Sequence, residues 1–254
     1  MLMAKCSVLF LLMQLFLSTA FGQTPNVTVK VTFINTVNNV PVVLDSIVYT
    51  NCWNETYTIS KLKYYISNVQ LQLANKSVHK ETESYHLINE EDTATKSFSL
   101  SMPAGTYSSL SFLIGVDSLK NVSGAQTNAL DPLNGMFWTW NNGYIMFKLE
   151  GNSPQSTVVN NKVAYHIGGF AGPDNALRMV TINFAAPLIL LQKENNAEIF
   201  IQAAIDKMWN AKHNLKILEI PVFMTPGGLS AAIADNYAAA FALIKIVQQQ
   251  AIHH

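Results

Sequence analysis

Residues 135–144, GMFWTWNNGY, hold the side chains of this chain best placed to do chemistry. Trp138 and Trp140 stand two apart between Gly135 and Gly143, and on an extended segment both indoles project from one face. Such a pair is a large, oxidisable aromatic surface. It is either a redox site, a stacking platform for a ligand with Tyr144 beside it, or a core pair closing one end of a β-domain, because aromatic rings dominate core burial. Of the histidines, His166 stands apart. It lies on AYHIGGF, a strand-like run that ends in the paired Gly168 and Gly169, where backbone and neighbouring side chains can approach closely. Imidazole is a good ligand for copper or zinc, although a strand histidine is also a common satisfied polar group of a core.

Other chemistry lacks its residues. A hydrolase needs a nucleophile with a base in reach, or two carboxylates facing a substrate. The chain has no GxSxG, no HExxH and no glycine-rich phosphate loop, and we read it as a non-enzyme. Glu81, Glu83, Glu90, Glu91 and Asp92 cluster in a polar stretch that reads as a solvated loop. Asp117, Asn121 and Asp131 offer oxygen ligands without the cadence of a calcium loop, and Asx turns explain them as well. Sixteen basic and sixteen acidic residues cancel, so no basic stripe exists to hold nucleic acid or anionic lipid.

The compartment is written at the start. Met1 to Lys5 supply a short positive region, Ser7 to Leu17 an apolar run, and Ser18 to Gly22 a small-residue exit. Residues 1–22 therefore read as a secretory signal peptide, with cleavage near Gly22–Gln23 and an exported domain over 23–254, periplasmic or secreted. No later run approaches the ~20 apolar residues of a transmembrane segment. Cys6 falls inside the signal peptide, so Cys52 is the single thiol of the mature chain and no internal disulfide is possible. Cys52 is either a buried inert thiol or a ligand or intermolecular partner. Four Asn-x-Ser/Thr sequons, at Asn26, Asn54, Asn75 and Asn121, matter only in a eukaryotic secretory pathway.

Positioning these residues falls to a β-domain. NVTVKVTFIN alternates with period two, and VVLDSIVYT, SYHLIN, SFSLSM and SSLSFLIGV follow as short strand-like runs. TYTISKLKYYISNVQLQLA is two strands or one bent one. After an Asn- and Asp-rich loop over 117–135, strands resume at YIMFKLEG, KVAYHIGGF, LRMVTINF and AEIFIQAAI. Short strands at roughly ten-residue spacing predict an all-β fold, a single β-sandwich or a partly open barrel. Two helices interrupt it. One is short, over 206–212 and carrying Trp209. The other is C-terminal, from Ser230 to Gln250, capped by Ser230 and striped by Ile233, Tyr237, Phe241 and Ile244.

YYISNVQL (Tyr64 to Leu71), GVDS (Gly115 to Ser118), ALDPLNGMFWTWNNGYIMFKLEG (Ala129 to Gly151) and HIGG (His166 to Gly169) together resemble the MbnP-like proteins. These are exported bacterial proteins named for a methanobactin-associated copper-binding protein. The resemblance spans nearly the whole mature chain and implies a single β-rich domain. It implies copper held by histidine and by kynurenine, an oxidised tryptophan made by a partner dihaem enzyme of the cytochrome c peroxidase type. Residue by residue, Trp138 is then the tryptophan converted and His166 the copper-binding histidine. The copper-binding members carry a histidine two residues after the modified tryptophan, where this chain has Trp140. Met136 or Cys52 is a candidate soft ligand in its place. The competing reading is a carbohydrate-binding module that stacks sugar rings on Trp138, Trp140 and Tyr144, with Asn141 and Asn142 meeting hydroxyls.

Overall fold

The computed structural model describes residues 25–140, 143–191 and 196–249. The signal-peptide reading, Asn141, Asn142, His253 and His254 fall outside them. The strands begin with β1 (Asn26–Val37), β2 (Val40–Pro41), β3 (Tyr49–Thr50), β4 (Thr56–Tyr57), β5 (Lys61–Leu73), β6 (Val78–Lys80) and β7 (Tyr85–Asn89). They continue with β8 (Ser97–Pro103) and β9 (Gly105–Ile114) before a short helix α1 (Ser118–Val122). Beyond it come β10 (Phe137–Trp138), β11 (Gly143–Asn152), β12 (Lys162–Gly168), β13 (Arg178–Leu190) and β14 (Asn196–Ala204). Helix α2 (Lys207–Asn210), β15 (Val222–Phe223), helix α3 (Gly228–Ala238) and β16 (Phe241–Gln249) complete the order.

Two sheets form the body, in the order β16-β14-β1-β2 and β13-β9-β5-β11-β12-β15. β8 joins the first on β1, while β6 and β7 join the second on β5, and β10 joins it on β11. Among the described residues no barrel closes, and the two sheets make the all-β, sandwich-like domain that the sequence predicts. Period-two alternation does the work. Val27, Val29, Val31 and Phe33 are all buried while Asn26, Thr28 and Lys30 face outward. Phe33 of β1 then meets Tyr64 of β5, Phe112 of β9 and Phe241 of β16 edge-on, with centroids 5.6 to 6.3 Å apart. These rings join the two layers.

β5 is one bent strand. Its register slips between Ser67 and Gln70, where Asn68 adopts a left-handed φ of 51°. Residues 61–64 pair with β11 and residues 66–73 with β9, so one strand braces both. β13 is an edge strand with Pro187 inside its register slip, where a missing N–H leaves no ladder bond unmade.

The C-terminal helix is shorter than its apolar stripe predicts. α3 ends at Ala238, and the chain returns as β16 against β14. Ile233 and Tyr237 are buried on the helix, whereas Phe241 packs in the inter-sheet core from a strand and Ile244 is exposed. The apolar positions 241, 244 and 246 satisfy either period in part, and the free edge of β14 offers ladder bonds that decide it. Ser230 is not the cap either. Gly227 holds that place, and the Ser230 hydroxyl donates to the Thr225 carbonyl inside the first turn. The 206–212 helix forms as α2, with Trp209 fully buried. Among the described residues no helix is long and apolar enough to cross a membrane.

Candidate functional site

The segment before the tryptophans is held down by polar caps. Asp117 accepts from the Lys120 amide to start α1, and Asp131 accepts from the Leu133 amide to start a single turn over 132–134. Asn121, fully buried, donates to the Val116 and Asp117 carbonyls and accepts from the Tyr144 amide. These residues are thus spent on backbone groups, the Asx-turn alternative to ligation, and the second oxygen of Asp117 is taken by the Tyr85 hydroxyl. Gly135 then turns the chain with a φ of 70°, and its carbonyl accepts from the Lys148 ammonium. Burial lowers the Lys148 pKa, partly offset by Glu150.

Trp138 closes the short β10–β11 hairpin opposite Gly143. It is only 6% exposed. The benzo edge of its indole lies over Gly168 of β12, where a Cβ would overlap Cζ3 and stand 2.7 Å from Cη2. Gly169 makes the neighbouring approach possible: its φ is 113°, and a Cβ there would collide with the Asp174 carbonyl. Both glycines of HIGG therefore have a steric reason to be glycine. Alternation along β12 gives His166 and Gly168 the same face, although the ladder to β11 slips between Ile145 and Phe147 opposite Gly168. Beside the indole opens a cavity of about 210 Å³ lined by Trp138, Tyr144, Phe170, Asp174 and Pro226 among others.

Trp140 behaves differently. It is 63% exposed, yet its ring centroid is 5.4 Å from that of Trp138 with the planes tilted by 43°. Tyr144 is buried, its ring edge-on to Tyr65 and Phe137 and its hydroxyl donating to the Leu130 carbonyl. The three rings of the sugar-platform reading are therefore not presented together. Two are core, and Trp140 alone is open to solvent. Packing of the 128–138 segment onto the sheet is what covers the other two.

His166 is mostly buried, and its Nε2 lies 2.8 Å from Glu150 Oε1. That hydrogen bond is the main cause that holds the Glu150 carboxyl down to about 2; burial opposes it, and Lys61 at 3.5 Å adds to it. Cross-strand pairing sets His166 opposite Lys148, and Glu150 opposite Lys61. Glu150 escapes a reading that looks for ligands alone. Its signal was present in YIMFKLEG, where charged residues two apart interrupt an apolar strand and must share a face. Asp174 and Phe170 come to the cavity through the turn after Gly169, which no local pattern announces.

Neither soft-ligand candidate reaches the cavity wall. Met136 is fully buried in the core, and Cys52 is exposed on the turn between β3 and β4. The inert buried thiol is thus not the state of Cys52. Its turn puts the side chain outside because the β3–β4 hairpin is only two residues per strand. Among the described residues no three His, Cys, Asp or Glu side chains converge as a metal site. One imidazole already bonded to a carboxylate is too small a donor set for copper.

The match that decides the family covers residues 26–225, against the family model for MbnP. The chain belongs to the MbnP family. The matched range takes in the tryptophan hairpin, β12 and both glycines of HIGG, and stops before α3 and β16. Among solved structures, MbnP from Methylosinus trichosporium is similar with a TM-score of 0.51 at 14% identity, over 75% of this chain and 79% of that one. At that identity the likeness is one of fold. No curated protein sequence matches the chain.

Proposed function

We propose that this MbnP-family chain is an exported copper-handling protein, not itself a catalyst, whose site comes into being only when Trp138 is oxidised. The observation that carries the reading is the seating of the Trp138 benzo ring over Gly168, on the face that His166 shares two residues earlier. Opening the indole to kynurenine turns an apolar ring into an aniline nitrogen and a ketone oxygen. Those atoms would appear beside a small cavity whose lining does not itself include His166, so the imidazole would have to reach them along the shared face of β12, where the unmodified chain offers too few donors.

His166 is suited to the part. Its Nε2 is tied to Glu150, which leaves Nδ1 as the nitrogen for a metal and orients the ring. Carboxylate–imidazole pairs of this kind are how metal-binding histidines are commonly held. Bound copper would supply a soft, redox-active cation at the edge of the second sheet. The oxidant is proposed to be a dihaem protein of the cytochrome c peroxidase type, as the family resemblance implies. Residues 1–22 would direct export and be removed.

Intact-mass analysis of protein made with and without such a partner tests the proposal. With the partner, the mature chain should begin near Gln23 and have one tryptophan with a carbon lost and an oxygen gained. That form should retain copper through dialysis, and His166→Ala should release it. An unmodified mass together with no retained copper would remove the reading. Trp138→Phe that weakens stability and leaves copper retention unchanged would assign the indole a packing role only.

A further inference from the structure

Trp138 and Trp140 form a ring pair that runs from the interior to the surface: one indole is 6% exposed and its neighbour 63%. We propose that Trp140 is a surface electron relay, through which an external metal-centred one-electron oxidant reaches the buried Trp138. The inference rests on the reading of Trp138 as the residue oxidised; copper plays no part in it.

The Trp138 ring is covered on its Gly168 side by β12, so a cofactor enclosed in another protein has little ring edge to approach. Electron transfer weakens steeply with distance, and a bulky oxidant stopped at the surface needs an intermediate. Trp140 is that intermediate by position. It is an oxidisable ring, presented to solvent at the hairpin tip, with a centroid 5.4 Å from its partner. Donor and acceptor are the same side chain, so the step between them is opposed mainly by the burial of the charged ring at position 138, which loss of its proton relieves.

The electron accounting is simple. The oxidant takes one electron from Trp140 and is reduced by one. The Trp140 radical cation takes one electron from Trp138 and regains its closed shell. The Trp138 radical cation then loses its indole N–H proton to water, and the product is a neutral radical. A second electron leaves by the same path to a second equivalent of oxidant, water adds to the ring and one more proton is lost, so two electrons and two protons depart and one oxygen is gained. Burial disfavours a charged ring, so proton loss is what holds the hole at position 138. Trp209 supplies an internal comparison. It is fully buried, its ring neighbours Tyr57 and Tyr165 are themselves buried, and the half-buried Trp53 meets its backbone carbonyl through Nε1 at 3.4 Å rather than pairing with its ring.

The test uses the full mature chain, copper-free, with photogenerated tris(bipyridine)ruthenium(III) as the oxidant. Fragment-ion mapping should find oxygen gained at Trp138 in the wild type and Trp209 intact. Trp140→Phe should lower the yield at Trp138 about tenfold or more, an added barrier of about 1.4 kcal/mol. Trp140→Tyr, which restores an oxidisable ring, should recover part of it. In Trp138→Phe, freeze-quench electron paramagnetic resonance should find the radical stranded on Trp140. Equal oxidation of Trp138 in wild type and Trp140→Phe, or no radical on Trp140 when position 138 is Phe, overturns the relay. Oxidised protein that fails to hold copper defeats the proposed function and leaves the relay standing.

Discussion

At position 140 this chain carries an indole whose ring lies 5.4 Å, centroid to centroid, from the ring at position 138. An imidazole at that position would offer a metal ligand in place of a ring. With Trp138 first converted chemically, Trp140→His is expected to tighten copper binding about tenfold or more, about 1.4 kcal/mol, in competition against a copper chelator. An unchanged constant would mean that position 140 does not face the metal. The types and spacing of these residues were legible from the sequence. Their opposite burial was not, since two tryptophans on a perfect strand would share one environment, and the strand stops at Trp138.

The elements that matter most are the β10–β11 hairpin and β12. Lys148 anchors the hairpin approach at the Gly135 carbonyl, Asn121 anchors its return at the Tyr144 amide, and Gly168 leaves the space that the indole fills. Gly168→Ala places a methyl where Cζ3 and Cη2 now lie, and the ring must move. The expected cost is about 1–3 kcal/mol in urea denaturation, the range of an overpacked core. Tryptophan fluorescence should shift to the red as Trp138 gains water. A variant as stable as wild type with unshifted emission would show that the indole has room to spare. Apart from β16, which read as helix, most of the longer strands were legible, because alternation marks a half-buried strand without reference to its neighbours. The end of α3 was not, because Phe241 and Ile244 fit a helical stripe as well as a strand, and the waiting edge of β14 settled the choice.

At the scale of the whole molecule, stability depends on how distant segments pair, and the parallel β1–β14 ladder sets Val29 opposite Ala197, far along the chain. Glu198 on β14 accepts from the Thr32 hydroxyl at 2.7 Å and meets Lys30 at 3.0 Å across that ladder. The hydrogen bond from Thr32 is the main cause that lowers its pKa below the ordinary value of 4.5; burial opposes it, and Lys30 adds to the lowering. A carboxyl depressed in the folded state stabilises above its unfolded pKa and loses that contribution as pH falls through the folded value. Glu198→Gln should therefore cost about 0.2–1 kcal/mol at pH 7, discounted for solvent exposure, with the difference vanishing in strong acid. Urea midpoints at the two pH values measure it, and a gap that persists in acid would refute the assignment. By itself, the sequence determined that this is an all-β chain with an exported look, a tryptophan pair and one well-placed histidine, because residue periodicity and side-chain type are local properties. Only the tertiary structure decided that one indole is sheltered over Gly168 while the other meets solvent, that Glu150 holds His166, and that the last helix yields to a strand. Each of those outcomes depends on what residues far away in the chain bring alongside, and steric fit of that kind leaves no local trace.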